Sequence, residues 1–100
     1  MPNHMRPIHP GEILQEELQT LQLSARQLAL ALGVHPNRIT SLMKHTRSIT
    51  ADTALRLARY FETSPEFWLN LQAAYDLRTA QRQHGALIAK TVTPRARVSA

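Results

Sequence analysis

The chain has 100 residues, enough for one small domain with a modest core, and its 12 Lys and Arg against 7 Asp and Glu give a formal charge of +5 that favours an anionic partner. It contains no cysteine, which excludes disulfides and thiolate metal sites and suits a reducing cytoplasm. No apolar run approaches the roughly 18 residues of a membrane span, and the first ten residues lack the apolar core of a signal peptide, so the expected setting is cytoplasmic.

Taken in chain order, the sequence reads as an all-α domain: an N-terminal arm over residues 1–9, a helical domain over 10–82, and a polar, basic tail over 83–100. The first helix is expected from Pro10 and Gly11 to about Leu21, burying Ile13, Leu14, Leu18 and Leu21. Ser24 is a good N-cap for a second helix whose apolar face is Leu28, Ala29 and Leu32. Gly33 follows, at a point where a left-handed residue ends a helix most easily.

Pro36 suits the first position of a third helix, because the N–H it lacks would have had no helical partner there. Ile39, Leu42 and Met43 form that helix's apolar face, and Asn37, Arg38, Thr40, Ser41 and Lys44 form a polar set able to meet base edges and phosphates. Two short helices joined at a glycine have the layout of a helix-turn-helix, although periodicity alone leaves an ordinary helix pair equally open. Charge distribution favours the first reading: from Arg38 to Arg59 there are five basic residues against Asp52 alone, whereas Glu12, Glu16 and Glu17 gather in the first helix.

The loop from His45 to Ile49 is expected to pass close to the nucleic acid. Thr50 caps a fourth helix, with Asp52 in its first turn and Ala54, Leu55, Leu57, Ala58 and Phe61 along its length. The fifth helix opens at Thr63, Ser64 and Pro65, where Thr63 and Glu66 have capping-box spacing, and is expected to reach about Arg82, before Gly85. Its apolar character is wider than core closure needs. Phe67, Trp68, Leu71 and Tyr75 are therefore assigned to a homodimer interface.

Enzymatic readings find little support. His4, His9, His35, His45 and His84 are scattered rather than paired one helical turn apart, and no glycine-rich loop could cradle a phosphate. Ser24 and Ser64 stand at helix starts without a base beside them. No catalytic residue, metal ligand or cofactor site is assigned.

The blocks HPGEIL (9–14), LALALGV (28–34), NRI (37–39), ITADTALRLARYF (49–61) and SPEFWLNLQAAYDL (64–77) resemble HigA-type antitoxins of the lambda-repressor-like helix-turn-helix class. The likeness covers about residues 7–78, and TADTALRLA and SPEFWLNLQ are its specific parts. It implies a five-helix, homodimeric antitoxin that binds its own promoter and is paired with HigB, a RelE-like toxin cleaving messenger RNA on the ribosome.

The resemblance also implies residue roles. Similar repressors read bases from the first turn of the third helix and one turn later, which here means Pro36, Asn37, Arg38, Thr40 and Ser41. An Asn37 amide matches adenine N6 and N7, an Arg38 guanidinium matches guanine O6 and N7, and Ser41 suits either base. Lys44, Thr46 and Arg47, at or beyond the helix end, fall to phosphate clamping. Relatives often place a phosphate-holding Gln where this chain has Ala25, so that contact passes to Arg26 or Gln27. They usually place Gly where His45 stands, a residue that adopts positive φ less readily.

A two-fold dimer of this kind would bind an inverted repeat, its two reading helices in major-groove segments about 34 to 36 Å apart. A stand-alone prophage or plasmid repressor, or an interaction module that no longer binds DNA, would keep the same fold.

Overall fold

A computed structural model describes residues 6–96. Of the expected arm and tail, positions 1–5 and 97–100 thus lie outside the described residues. Five helices follow in order: α1 Pro10–Leu21, α2 Ala25–Leu32, α3 Pro36–Met43, α4 Ala51–Phe61 and α5 Pro65–Thr91.

Local chemistry accounts for each helix start. At α1 the N-cap is His9: its Nδ1 accepts from the Gly11 N–H at 2.9 Å, and the Glu12 carboxylate accepts from the His9 N–H at 3.2 Å. Two orphan amides are satisfied reciprocally. Arg6 adds two hydrogen bonds to Glu12, at 2.7 and 2.8 Å, and its guanidinium is the main reason that carboxyl is lowered to about 2. Ser24 and Gln27 form the same reciprocal box at α2, at 3.0 and 2.8 Å. His35 caps α3 by accepting from the Asn37 N–H at 3.1 Å, and Thr50 caps α4.

The cap of α5 differs from the expected Thr63–Glu66 box. Ser64 Oγ accepts from the Phe67 N–H at 3.1 Å, while the Thr63 hydroxyl accepts from Trp68 Nε1 at 3.0 Å. One hydroxyl thus starts the helix and its neighbour satisfies an indole that is itself buried.

The core joins all five helices: Leu14 and Leu18; Leu28, Ala29 and Leu32; Ile39 and Leu42; Ala54, Leu57 and Ala58; Trp68; and Ile49 from the loop before α4. α1 packs on α3 and α5, α2 on α3 and α4, and α4 on α5. One residue expected in the core, Leu21, is instead exposed at 48%, and Ile13 is half-buried; on α4, Leu55 is exposed at 61%. Leu21 closes the last turn of α1, and Leu55 directly follows the fully buried Ala54 on α4, one residue outside its core stripe.

α5 also corrects an expectation. It runs straight through Gly85 to Thr91, 27 residues, so residues 83–91 are helix rather than tail. A glycine inside a helix costs only about 1 kcal/mol, and the surrounding Ala80, Gln81, Arg82, Gln83, Ala86, Leu87, Ala89 and Lys90 are good helix formers.

Candidate nucleic-acid interface

α2 and α3 meet at a tight corner. Gly33 ends α2 at φ 71°, and the Gly33 and Val34 N–H groups donate to Leu30 and Ala29 at 3.2 and 3.0 Å, which satisfies carbonyls left open at the helix end. Ile39 and Leu42, both fully buried, then set the rotation of α3 about its axis. That rotation decides what faces out.

Of the five residues expected to read bases, Asn37 is exposed, and its carboxamide makes no intramolecular hydrogen bond among the described residues. Pro36, Arg38, Thr40 and Ser41 are half-buried. Thr40 turns its hydroxyl back to the Pro36 and Asn37 carbonyls at 3.3 and 3.4 Å. Arg38 is not a free cation: its Nη1 donates to Asp52 Oδ2 on α4.

The residues expected on phosphates surround this turn. Arg26 and Gln27 are exposed in the first turn of α2. Gln27 uses its Oε1 in the capping box, which leaves its NH2 group at the positive end of the helix, where an anion is favoured. Lys44 and Arg47 are exposed beyond α3. Thr46 behaves differently from its assignment: its hydroxyl and its backbone N–H both donate to the Ser41 carbonyl, at 3.1 and 2.9 Å. These donors close the end of α3 and shape the loop that follows it.

His45, just beyond α3, takes the left-handed conformation at φ 62°. Its ring stacks on His9, with centroids 4.7 Å apart and planes 14° off parallel, and His9 in turn meets Tyr75 of α5 edge-on at 4.8 Å. Burial, and then the charge of His45, push the His9 pKa below its ordinary value, against a hydrogen bond to the Arg47 backbone and the charges of Asp76 and Glu12. The loop is anchored again at Ile49, whose N–H donates to the buried Gln72 side chain of α5 at 2.7 Å. Contacts from α1, α3 and α5 thus hold the backbone that carries Arg47. His9 and Gln72 escaped the sequence reading, although His9 stands three residues before Glu12, the spacing of a capping box.

The assigned dimer residues divide. Trp68 is 1% exposed and fills the core of its own protomer, so it is removed from the interface set. Phe67 is 43% exposed, and Leu71 and Tyr75 are half-buried beside Ile8, Ile13 and Ala74 in an apolar groove between α1 and α5. Among the described residues no helix is long and apolar enough to cross a membrane, and no three His, Asp or Glu side chains gather where they could hold a metal ion.

The helix-turn-helix family model matches residues 14–68, from the middle of α1 into the start of α5. A solved antidote protein of the HigA family from Coxiella burnetii is 60% identical and superposes with a TM-score of 0.89, covering 91% of this chain and 100% of its own. The chain belongs to the HigA antitoxin family. The antitoxin HigA of Pseudomonas aeruginosa, solved with the higBA promoter, is 44% identical with a TM-score of 0.88, again over 91% of this chain and 100% of that one. Virulence-associated protein I of Dichelobacter nodosus is 56% identical over 81 residues, 80% of this chain and 75% of its own. Membership places the chain among five-helix, DNA-binding antitoxins and not among enzymes. Within this HigA fold, Ala25 leaves the start of α2 without a long polar side chain, and Gln27 stands two residues further on, in the capping box.

Proposed function

We propose that the chain is a homodimeric antitoxin that binds an inverted repeat in its own promoter and neutralises a HigB, RelE-like toxin that cleaves messenger RNA. The observation that carries the DNA-binding half is the first turn of α3: Asn37 projects a carboxamide that no other described residue engages, from a helix whose rotation is locked by two fully buried residues. The HigA of Pseudomonas aeruginosa, of the same fold, was solved on its promoter. Base reading falls to Asn37, Arg38 and Ser41, with Pro36 and Thr40 shaping the helix between them. Arg26, Gln27, Lys44 and Arg47 position the protein on the phosphates. Phe67, Leu71 and Tyr75, with Ile13 of α1, supply the two-fold contact that spaces the two reading helices.

Footprinting and binding titrations test this. Asn37→Ala should relax preference at one position per half-site, at a cost of about 1 to 3 kcal/mol, with other positions unchanged. Intact preference in Asn37→Ala would remove the residue from base reading. Co-expression with a RelE-like toxin encoded beside the gene should restore growth and yield a co-purifying complex. Growth arrest in spite of the antitoxin would leave a repressor without a toxin.

A further inference from the structure

The helix-turn-helix is tied together on its outer side by three charged side chains from two helices. Arg56 Nη1 donates to the Leu32 carbonyl, the last of α2, at 2.8 Å, and Arg56 Nε donates to Asp52 Oδ2 at 2.9 Å. The same Oδ2 accepts from Arg38 Nη1 in the first turn of α3. A single carboxylate oxygen therefore links the end of α2, the start of α4 and one of the residues assigned to base reading. With two guanidinium groups to one carboxylate, the trio stays net positive and does not repel phosphate.

Stability is not a sufficient reason for this arrangement. Asp52 and Arg38 side chains keep 55% and 31% of their surface exposed, and ion pairs so open to water contribute little to folding. Orientation is a different matter. A free arginine must freeze several torsions to meet a base, whereas one already held at a single nitrogen keeps most of its five N–H donors and loses less freedom on binding. Hydrogen bonds from Arg56 and then Arg38 hold the Asp52 carboxyl below its usual range, so the anchor remains charged at neutral pH.

We propose that Asp52 is a specificity-determining positioning residue, which fixes the Arg38 guanidinium in one orientation so that its remaining donors meet one base. This rests on the reading of Arg38 as a base contact and extends it to a residue on another helix.

The test measures binding of the full chain to its operator and to every single-base variant of one half-site, for the parent, Arg38→Ala, Asp52→Asn and the double variant, with thermal midpoints alongside. Arg38→Ala should abolish a preference of roughly five- to hundredfold at one base pair. Asp52→Asn should cut the preference at that same base pair to a few-fold, leave the midpoint close to the parent's, and add nothing in the Arg38→Ala background. If Arg38→Ala leaves all base preferences intact, the reading beneath the proposal fails and Asp52 has nothing to orient. If Arg38→Ala removes the preference and Asp52→Asn preserves it, the proposal alone is overturned. Tighter binding of Asp52→Asn to all sequences alike also overturns it, because Asp52 then acts only as a negative charge near phosphate.

Discussion

The sharpest test of the fold is Gly11→Ala. A Cβ at Gly11 would lie 1.9 Å from the Leu42 carbonyl oxygen and 2.8 Å from its carbon, about 1.5 Å short of the 3.4 Å at which ordinary van der Waals contact begins. Neither partner yields easily. The Leu42 carbonyl accepts from the His45 N–H at 3.0 Å, and α1 is anchored by Leu14 and Leu18 in the core. The methyl group must therefore push α1 away from α3 and open the packing around Leu14 and Leu42. Overpacking usually costs 1 to 3 kcal/mol, and a clash against backbone belongs at or above the top of that range, so we expect a loss of about 3 kcal/mol or more. That is a large part of the roughly 5 to 15 kcal/mol typical of a small domain. Urea unfolding followed by circular dichroism measures it. Gly85→Ala provides the contrast: a Cβ there meets nothing within 4 Å in a helix interior, and the same chemical change should stabilise the end of α5 by about 0.5 to 1 kcal/mol, seen as slower amide exchange over residues 83–91. A Gly11→Ala protein within about 0.5 kcal/mol of the parent, the scatter of an innocuous surface change, would refute the claimed contact between α1 and α3.

Other expectations separate roles that the sequence had grouped. Arg47→Ala should weaken operator and unrelated DNA alike and flatten the slope of log K against log salt by about 0.9, whereas an unchanged slope would take Arg47 off the phosphates. Trp68→Ala should cost about 3 to 5 kcal/mol of folding stability, as for any large core residue. Phe67→Ala should leave folding nearly intact and weaken self-association in sedimentation experiments; an unaltered dimer would place the two-fold contact elsewhere. For pH, His9 is held below its ordinary value of 6.5, so the unfolded chain binds more protons and stability falls as pH drops below about 6.5. His9→Asn keeps a capping acceptor without titrating, and its unfolding free energy should vary less between pH 8 and 5. Equal pH dependence in the two proteins would remove His9 as the source.

Much of this architecture was legible because it rests on local chemistry. Ser24, Gly33, Pro36 and Thr50 act where their backbone preferences put them, and the corner between α2 and α3 follows from Gly33 and Pro36. Trp68 was misplaced because a stripe pattern says that a face is apolar, not which neighbour covers it; only the packing of α1 and α4 against α5 puts Trp68 inside and Phe67 outside. Gly85 was over-read as a stop, since one weak residue loses to eight good helix formers around it. Asp52 was read as a helix-dipole partner, and its contact with Arg38 on another helix has no signal in spacing. The tie from Thr46 to the Ser41 carbonyl escaped the sequence for the same reason: the acceptor is apparent only once the loop folds back.

The four turns between helices share one detail with a wider consequence. Each contains a left-handed residue, but only Gly33 is glycine; Gln22, His45 and Glu62 adopt φ of 56°, 62° and 56° with side chains attached. That conformation costs an L-residue roughly 1 to 2 kcal/mol. At His45 the ring stack on His9 gives something in return, whereas Gln22 and Glu62 are exposed. The domain thus holds its shape with conformational strain left at two surface corners, where a glycine would relieve it. Its thermal resistance sits below what the same backbone could reach, and those two corners are where an evolving or engineered descendant could raise it without touching the DNA-facing helix.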